Sequence, residues 1–129
     1  MQTRTTNETL AILNDGYMLI KTGDQKAIKK SFNTIKNGFN DKLLIAVLNY
    51  HIITKDKALE ILAKSFEFYK KFETEFREKN EIDWESCWDD ANSICFEYKD
   101  LEHAYVYGII TSMIDDFEQK EKNKKQTSL

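Results

Sequence analysis

Apolar side chains recur at three- and four-residue spacing along almost the whole of this 129-residue chain, and no proline interrupts them. A proline inside a helix removes a hydrogen bond and costs about 3 kcal/mol, so its complete absence leaves helices free to run long. No segment keeps the period-two alternation of a half-buried strand. The expected fold is therefore all-α, a compact bundle of five or six mostly antiparallel helices joined by short connections. Residues 1–119 make the expected single helical domain, and 120–129 a polar tail expected to be disordered.

Local signals divide the chain. Thr5-x-x-Glu8 reads as a capping box that opens a helix from about Asn7 to Lys21, with Leu10, Leu13, Tyr17 and Ile20 inward and Gly23 closing it. Asp24 can cap another, to about Lys36, with Ile28, Phe32 and Ile35 on one face and Lys26, Lys29, Lys30 and Lys36 on the other. After Asn40 or Asp41 the run Leu43 to Leu48 is apolar around most of a helical cylinder, which places it at the centre of the fold. Thr54 can cap a long helix to about Lys79, with Leu59, Leu62, Phe66, Tyr69, Phe72 and Phe76 inward. Asp83 can cap the next, striped by Trp84, Trp88, Ala91, Cys95 and Tyr98, and Asp100 the last, from Leu101 to about Glu118. Lys30-Ser31-Phe32 echoes Lys64-Ser65-Phe66, 34 residues on, but without a third copy no repeat array is expected.

The apolar fraction of 41%, with eight Phe, six Tyr and two Trp, is enough to build a core without a staple. No apolar run approaches the roughly 18 residues of a membrane span, and the first residues lack the apolar centre of a signal peptide. A cytoplasmic location is expected, with no membrane contact. Cys87 and Cys95 lie eight apart in one expected helix, roughly 12 Å of rise, so they are read as reduced thiols.

No phosphate loop, dinucleotide fingerprint, nucleophile elbow or zinc-ligand spacing occurs. No catalytic residue, metal or cofactor is expected, and the chain reads as non-enzymatic. His51 and His103 could be metal ligands with Glu102, Asp115 or Asp116, but the Glu-x-x-His spacing of helical metal sites is missing. Cys87 falls in the first turn of its helix, where thiols are activated, yet its neighbours are acidic and oppose ionisation. A small metal- or thiol-dependent enzyme is thus the third-ranked reading. The second is a DNA-binding regulator that uses either residues 53–77, in which Ile53 to Leu62 is a first helix and Ser65 caps a recognition helix, or the lysines of the second expected helix. The turn glycine of that motif is absent, and Glu67, Glu73, Glu75 and Glu78 would repel phosphates. Nucleic acid is not the expected ligand.

The first-ranked reading rests on charge. Residues 1–64 carry ten Lys/Arg against six Asp/Glu, and residues 65–129 nine against sixteen. The bias peaks between Glu78 and Glu102, which holds nine acids, two lysines and both tryptophans. Asp83, Asp90 and Glu97 are expected opposite the tryptophan stripe, with Glu85 and Asp89 flanking. Trp88 is expected in the core and Trp84 partly exposed. Asp83, Trp84, Glu85, Asp89, Asp90 and Glu97 are therefore the candidate partner-binding residues, an acidic surface rimmed by aromatics that docks on a basic, nucleic-acid-handling protein. Small size and a Lys/Asn/Ile/Asp-rich composition fit an inhibitor or regulator carried by a bacterial virus or mobile element, for example against host defence. Phe68, off the inward face of its helix, leaves apolar surface that a two-fold homodimer would bury.

Overall fold

A computed structural model describes residues 5–26, 29 and 41–127. The expected apolar face of Ile28, Phe32 and Ile35, and Lys30 and Lys36 beside it, lie outside the described residues. Among the described residues there are five α-helices and no strand: α1 (Thr6–Thr22), α2 (Lys42–Leu48), α3 (Lys55–Lys79), α4 (Trp84–Phe96) and α5 (Asp100–Thr127), with one 3-10 turn at Tyr50–Ile52.

The helix starts follow from short polar side chains that take up the free amides of the first turn. The Thr5 amide donates to Glu8 Oε1 at 2.9 Å, and the Glu8 amide donates back to Thr5 Oγ1 at 3.1 Å. Asp41, Thr54 and Asp83 each accept an amide three residues on. At the other ends, Gly23 closes α1 with φ 77°, and Asn80 closes α3 with φ 63°. Both lie in the left-handed region that glycine and asparagine enter most cheaply.

The long helices α3 and α5 form the spine. α1 lies along α3, α2 packs on α5 and α1, and α4 covers α5 and α3. At the centre Phe117 of α5 stacks on Tyr69 of α3, with centroids 5.1 Å apart and planes 13° apart, and both rings are wholly buried. Buried polar groups are used to join helices. Tyr105 donates to the Val47 carbonyl at 2.8 Å, and Thr9 donates to Asp116 at 3.1 Å. α2 is less enclosed than its composition suggests, since Leu43, Leu44 and Val47 are buried while Ile45 is 54% exposed.

Several inward faces are rotated from those expected. In α3 the buried residues are Ala58, Ile61, Leu62, Ser65, Phe68, Tyr69 and Phe72. Phe68 is thus core, packed 5.2 Å from Phe72, and is not part of the exposed apolar surface. α3 also runs unbroken through Ser65, whose hydroxyl donates to the Ile61 carbonyl at 2.8 Å within the helix. No turn divides it into a helix-turn-helix. Finally, α5 extends to Thr127, beyond the expected end near Glu118. Lys120 donates to Thr6 at 2.7 Å and to Tyr69 at 2.9 Å, so the start of the expected tail is tied to α1 and α3.

Candidate protein-docking surface

α4 is held at both ends by its own chain. Asp83 accepts the Ser86 amide at 3.1 Å, and its own amide donates to Glu75 at 2.6 Å. The half-buried Trp84 donates its indole N–H to Glu121 Oε1 at 2.8 Å, and the Ile82 amide points at the same oxygen. Further along, Lys71 of α3 donates to Asp90 at 2.6 Å, and Lys64 pairs with Glu97. Lys64 also reaches Glu60 at 3.4 Å, and Tyr98 donates to Glu60 at 2.8 Å.

The pairing favours the charged form of both lysines. Glu97 raises the Lys64 ammonium above its ordinary range, and Asp90 does the same for Lys71. The Tyr98 hydrogen bond lowers Glu60, while burial, followed by that same bond, pushes Tyr98 up to about 12. Between α3 and α4 lies a surface groove of about 360 Å³, lined by Lys64, Phe68, Lys71, Asp90, Ile94 and Glu97 among others. Its two lysines are already matched to Glu97 and Asp90.

The six candidate residues therefore part company. Asp90 and Glu97 do not lie opposite the buried stripe but face the lysines of α3. Asp83 is a helix cap, and Trp84 is a strut between α4 and α5. Only Glu85 and Asp89 are exposed with neither an ion pair nor a side-chain hydrogen bond among the described residues. The physical reason is a rotation of the helix. Its buried residues are Cys87, Ala91 and Cys95, with Tyr98 following and Ile94 half-buried. At roughly 100° per residue this face is turned about 30–40° toward the acids from one centred on the two tryptophans. Trp88, expected in the core, is consequently 44% exposed. Phe96 is 77% exposed and was missed altogether. The signal for it was the outward line Glu85, Asp89, Asn92, Phe96 at helical spacing, which ends on an aromatic.

The other candidate chemistries meet their surroundings. Cys87 is fully buried, and burial, with Asp90 and Glu75 adding to it, pushes its thiol up to about 12. Cys95 is raised by burial as well. Because the thiolate is the nucleophile, neither cysteine should react with iodoacetamide at pH 8 in the native chain, and both should react after unfolding. Labelling of Cys87 at the rate of a free thiol would contradict the packing. The linkage has a definite sign. The folded-state thiol value lies above the unfolded one, so this contribution to stability is complete below the ordinary thiol range and is lost as pH climbs toward 12. His51 is exposed beside Tyr50, and His103 lies parallel to Tyr107 with centroids 5.9 Å apart. Among the described residues no group of three His, Cys, Asp or Glu side chains could hold a metal ion, and no helix is long and apolar enough to cross a membrane.

No protein-family model, curated protein or solved structure matches this chain.

Proposed function

We propose that this chain is a non-enzymatic interaction module that docks through the outward face of α4 on a basic protein partner. The observation that carries the reading is the exposure of Trp88 and Phe96 on one helix, 44% and 77%, beside Glu85 and Asp89, which have no ion-pair partner among the described residues. Aromatic side chains dominate binding hot spots because they bury a large area at little entropic cost. The helix that carries them is pre-organised by Glu121 at its start and by Lys71 and Lys64 along its inner edge. Little ordering remains to be done on binding. Asp83, Trp84, Asp90 and Glu97 belong to this reading as supports of the helix rather than as contacts. A regulator or inhibitor that occupies a basic, nucleic-acid-handling protein fits a face of this charge.

The test is a double variant, Trp88→Ser with Phe96→Ser, compared with the parent by affinity capture from the native host and by thermal melting. Phe96 is mostly in solvent, and its loss should leave the melting temperature unchanged. Trp88 is more than half covered and its loss should lower it, so capture is compared at a temperature where both chains are folded. Capture should be lost, and capture by the parent should weaken as salt rises and screens the carboxylates. Undiminished capture by the double variant would remove the face from consideration.

A further inference from the structure

The docking reading leaves open what the partner presents, and the side chains of α4 narrow it. Asp83, Asp90 and Glu97 are satisfied within the chain, as cap or ion pair. Glu85 and Asp89 are not paired among the described residues, and no lysine or arginine occurs anywhere between Asn80 and Tyr98 to neutralise them. Glu85 lies three positions before Trp88, a spacing that sets side chains side by side on a helix, about 5–6 Å apart at Cβ. Asp89 follows Trp88 directly. An exposed indole thus stands next to the Glu85 carboxylate, which has no cation partner among the described residues, with Asp89 about a quarter-turn away on the flank.

One protein side chain uses both features together. A guanidinium is planar, stacks on an aromatic ring and still donates in its own plane as a fork to a carboxylate. An ammonium is a compact, strongly hydrated charge that gives up more hydration and has no plane to stack. Resting on the docking reading, we propose that the outward face of α4 binds an arginine-bearing segment of its partner, with the guanidinium on Trp88 and paired to Glu85. Asp89 adds charge on the flank. Phe96, roughly 12 Å farther along the axis, takes an apolar side chain of the same segment.

The experiment uses the full chain and two synthetic peptides, one of alternating arginine and leucine and one with lysine in place of every arginine. Binding is read by anisotropy of a dye on the peptide and by tryptophan emission. The arginine peptide should bind about tenfold more tightly than its lysine counterpart, and Trp88→Leu and Glu85→Gln should each weaken it by about tenfold, an easily resolved difference. Glu81→Gln removes the same charge from an exposed position before α4 and should leave the affinity unchanged. Glu85→Gln and Glu81→Gln should melt like the parent, and Trp88→Leu, which keeps an apolar side chain at a partly covered position, should remain folded at the temperature of the assay.

Equal weakening by Glu85→Gln and Glu81→Gln would mean diffuse attraction and would overturn the proposal. Equal binding of both peptides, dependent on Trp88 and Phe96, would also overturn it while leaving the docking face in place. The same holds if neither peptide binds but capture of the natural partner still requires Trp88 and Phe96. If capture ignores both aromatics, the docking reading itself fails and the arginine site falls with it.

Discussion

Replacing Phe117 by alanine is expected to cost about 3–5 kcal/mol, the range for emptying an aromatic site in a packed core. The ring has no exposure and lies within reach of three others: Tyr69 in parallel at 5.1 Å, Phe68 at 6.4 Å and Phe72 at 6.5 Å. Such pairs add about 0.5–1.5 kcal/mol beyond the area they bury. The void would open where α3 meets α5, the two helices on which every other helix leans. A domain of this size has only about 5–15 kcal/mol of stability in total, so the loss is a large share of it. The melting temperature should fall by roughly 10–20 °C. Phe96→Ala supplies the contrast. It removes the same ring from a position 77% exposed, where a change within about 0.5 kcal/mol is expected. Thermal melts followed by circular dichroism measure both, and similar shifts for the two variants would refute the assignment of Phe117 to the core.

The starts and ends of α1 to α4 were legible in the sequence because capping is local chemistry, whereas α5 includes Asp100, its expected cap, with φ 57°, and runs on to Thr127. Thr5 with Glu8, Asp41, Thr54, Asp83 and Gly23 all act where their spacing to the first or last apolar residue placed them. The rotation of each helix about its axis was not legible, and the errors share a cause. Weighting by large apolar residues centred α1 on Leu10 and Tyr17, α3 on Leu59 and Phe66, and α4 on the two tryptophans. The true faces centre on small residues: Thr9 and Gly16 in α1, Ala58 and Ser65 in α3, Cys87 and Ala91 in α4. Helices packed about 8–10 Å apart can touch only over small side chains, while long ones reach in from the flanks or stay outside. Phe66 and Trp88 are such flanking residues, half-buried and exposed respectively. This rotation also undid half of the candidate site. Turning α4 toward α3 brought Asp90 and Glu97 onto Lys71 and Lys64, contacts between residues 19 and 33 apart that no local pattern encodes. The continuation of α5 was hidden in the same way. Lys120 and Glu121 look like solvated tail residues until Thr6, Tyr69 and Trp84 are seen to be their partners.

The sharpest test of that packing rule is Gly16. In an exposed helix, alanine is better than glycine by about 0.8–1 kcal/mol, so Gly16→Ala would be expected to stabilise α1 if nothing lay against it. Here a methyl group at position 16 would collide with Cγ1 of Val47, a wholly buried residue of α2. Valine has a short, stiff side chain with one dominant rotamer in a helix, so it cannot swing aside. The net expectation is a loss of about 1–3 kcal/mol, as for other overpacked cores. Two comparisons isolate the cause. A methyl at Gly108 would meet only Ala46 Cβ, at an ordinary 3.5 Å, so Gly108→Ala should be neutral or stabilising by up to about 1 kcal/mol. In a Val47→Ala background the obstructing carbon is gone, and Gly16→Ala should then reverse sign and recover stability. The coupling read from that cycle should be about 1–3 kcal/mol, typical of residues in direct contact. Denaturant melts of the four chains measure it. A stabilising Gly16→Ala in the parent would mean that α1 and α2 do not approach at this point, and the small-residue account of the helix rotations would lose its clearest instance.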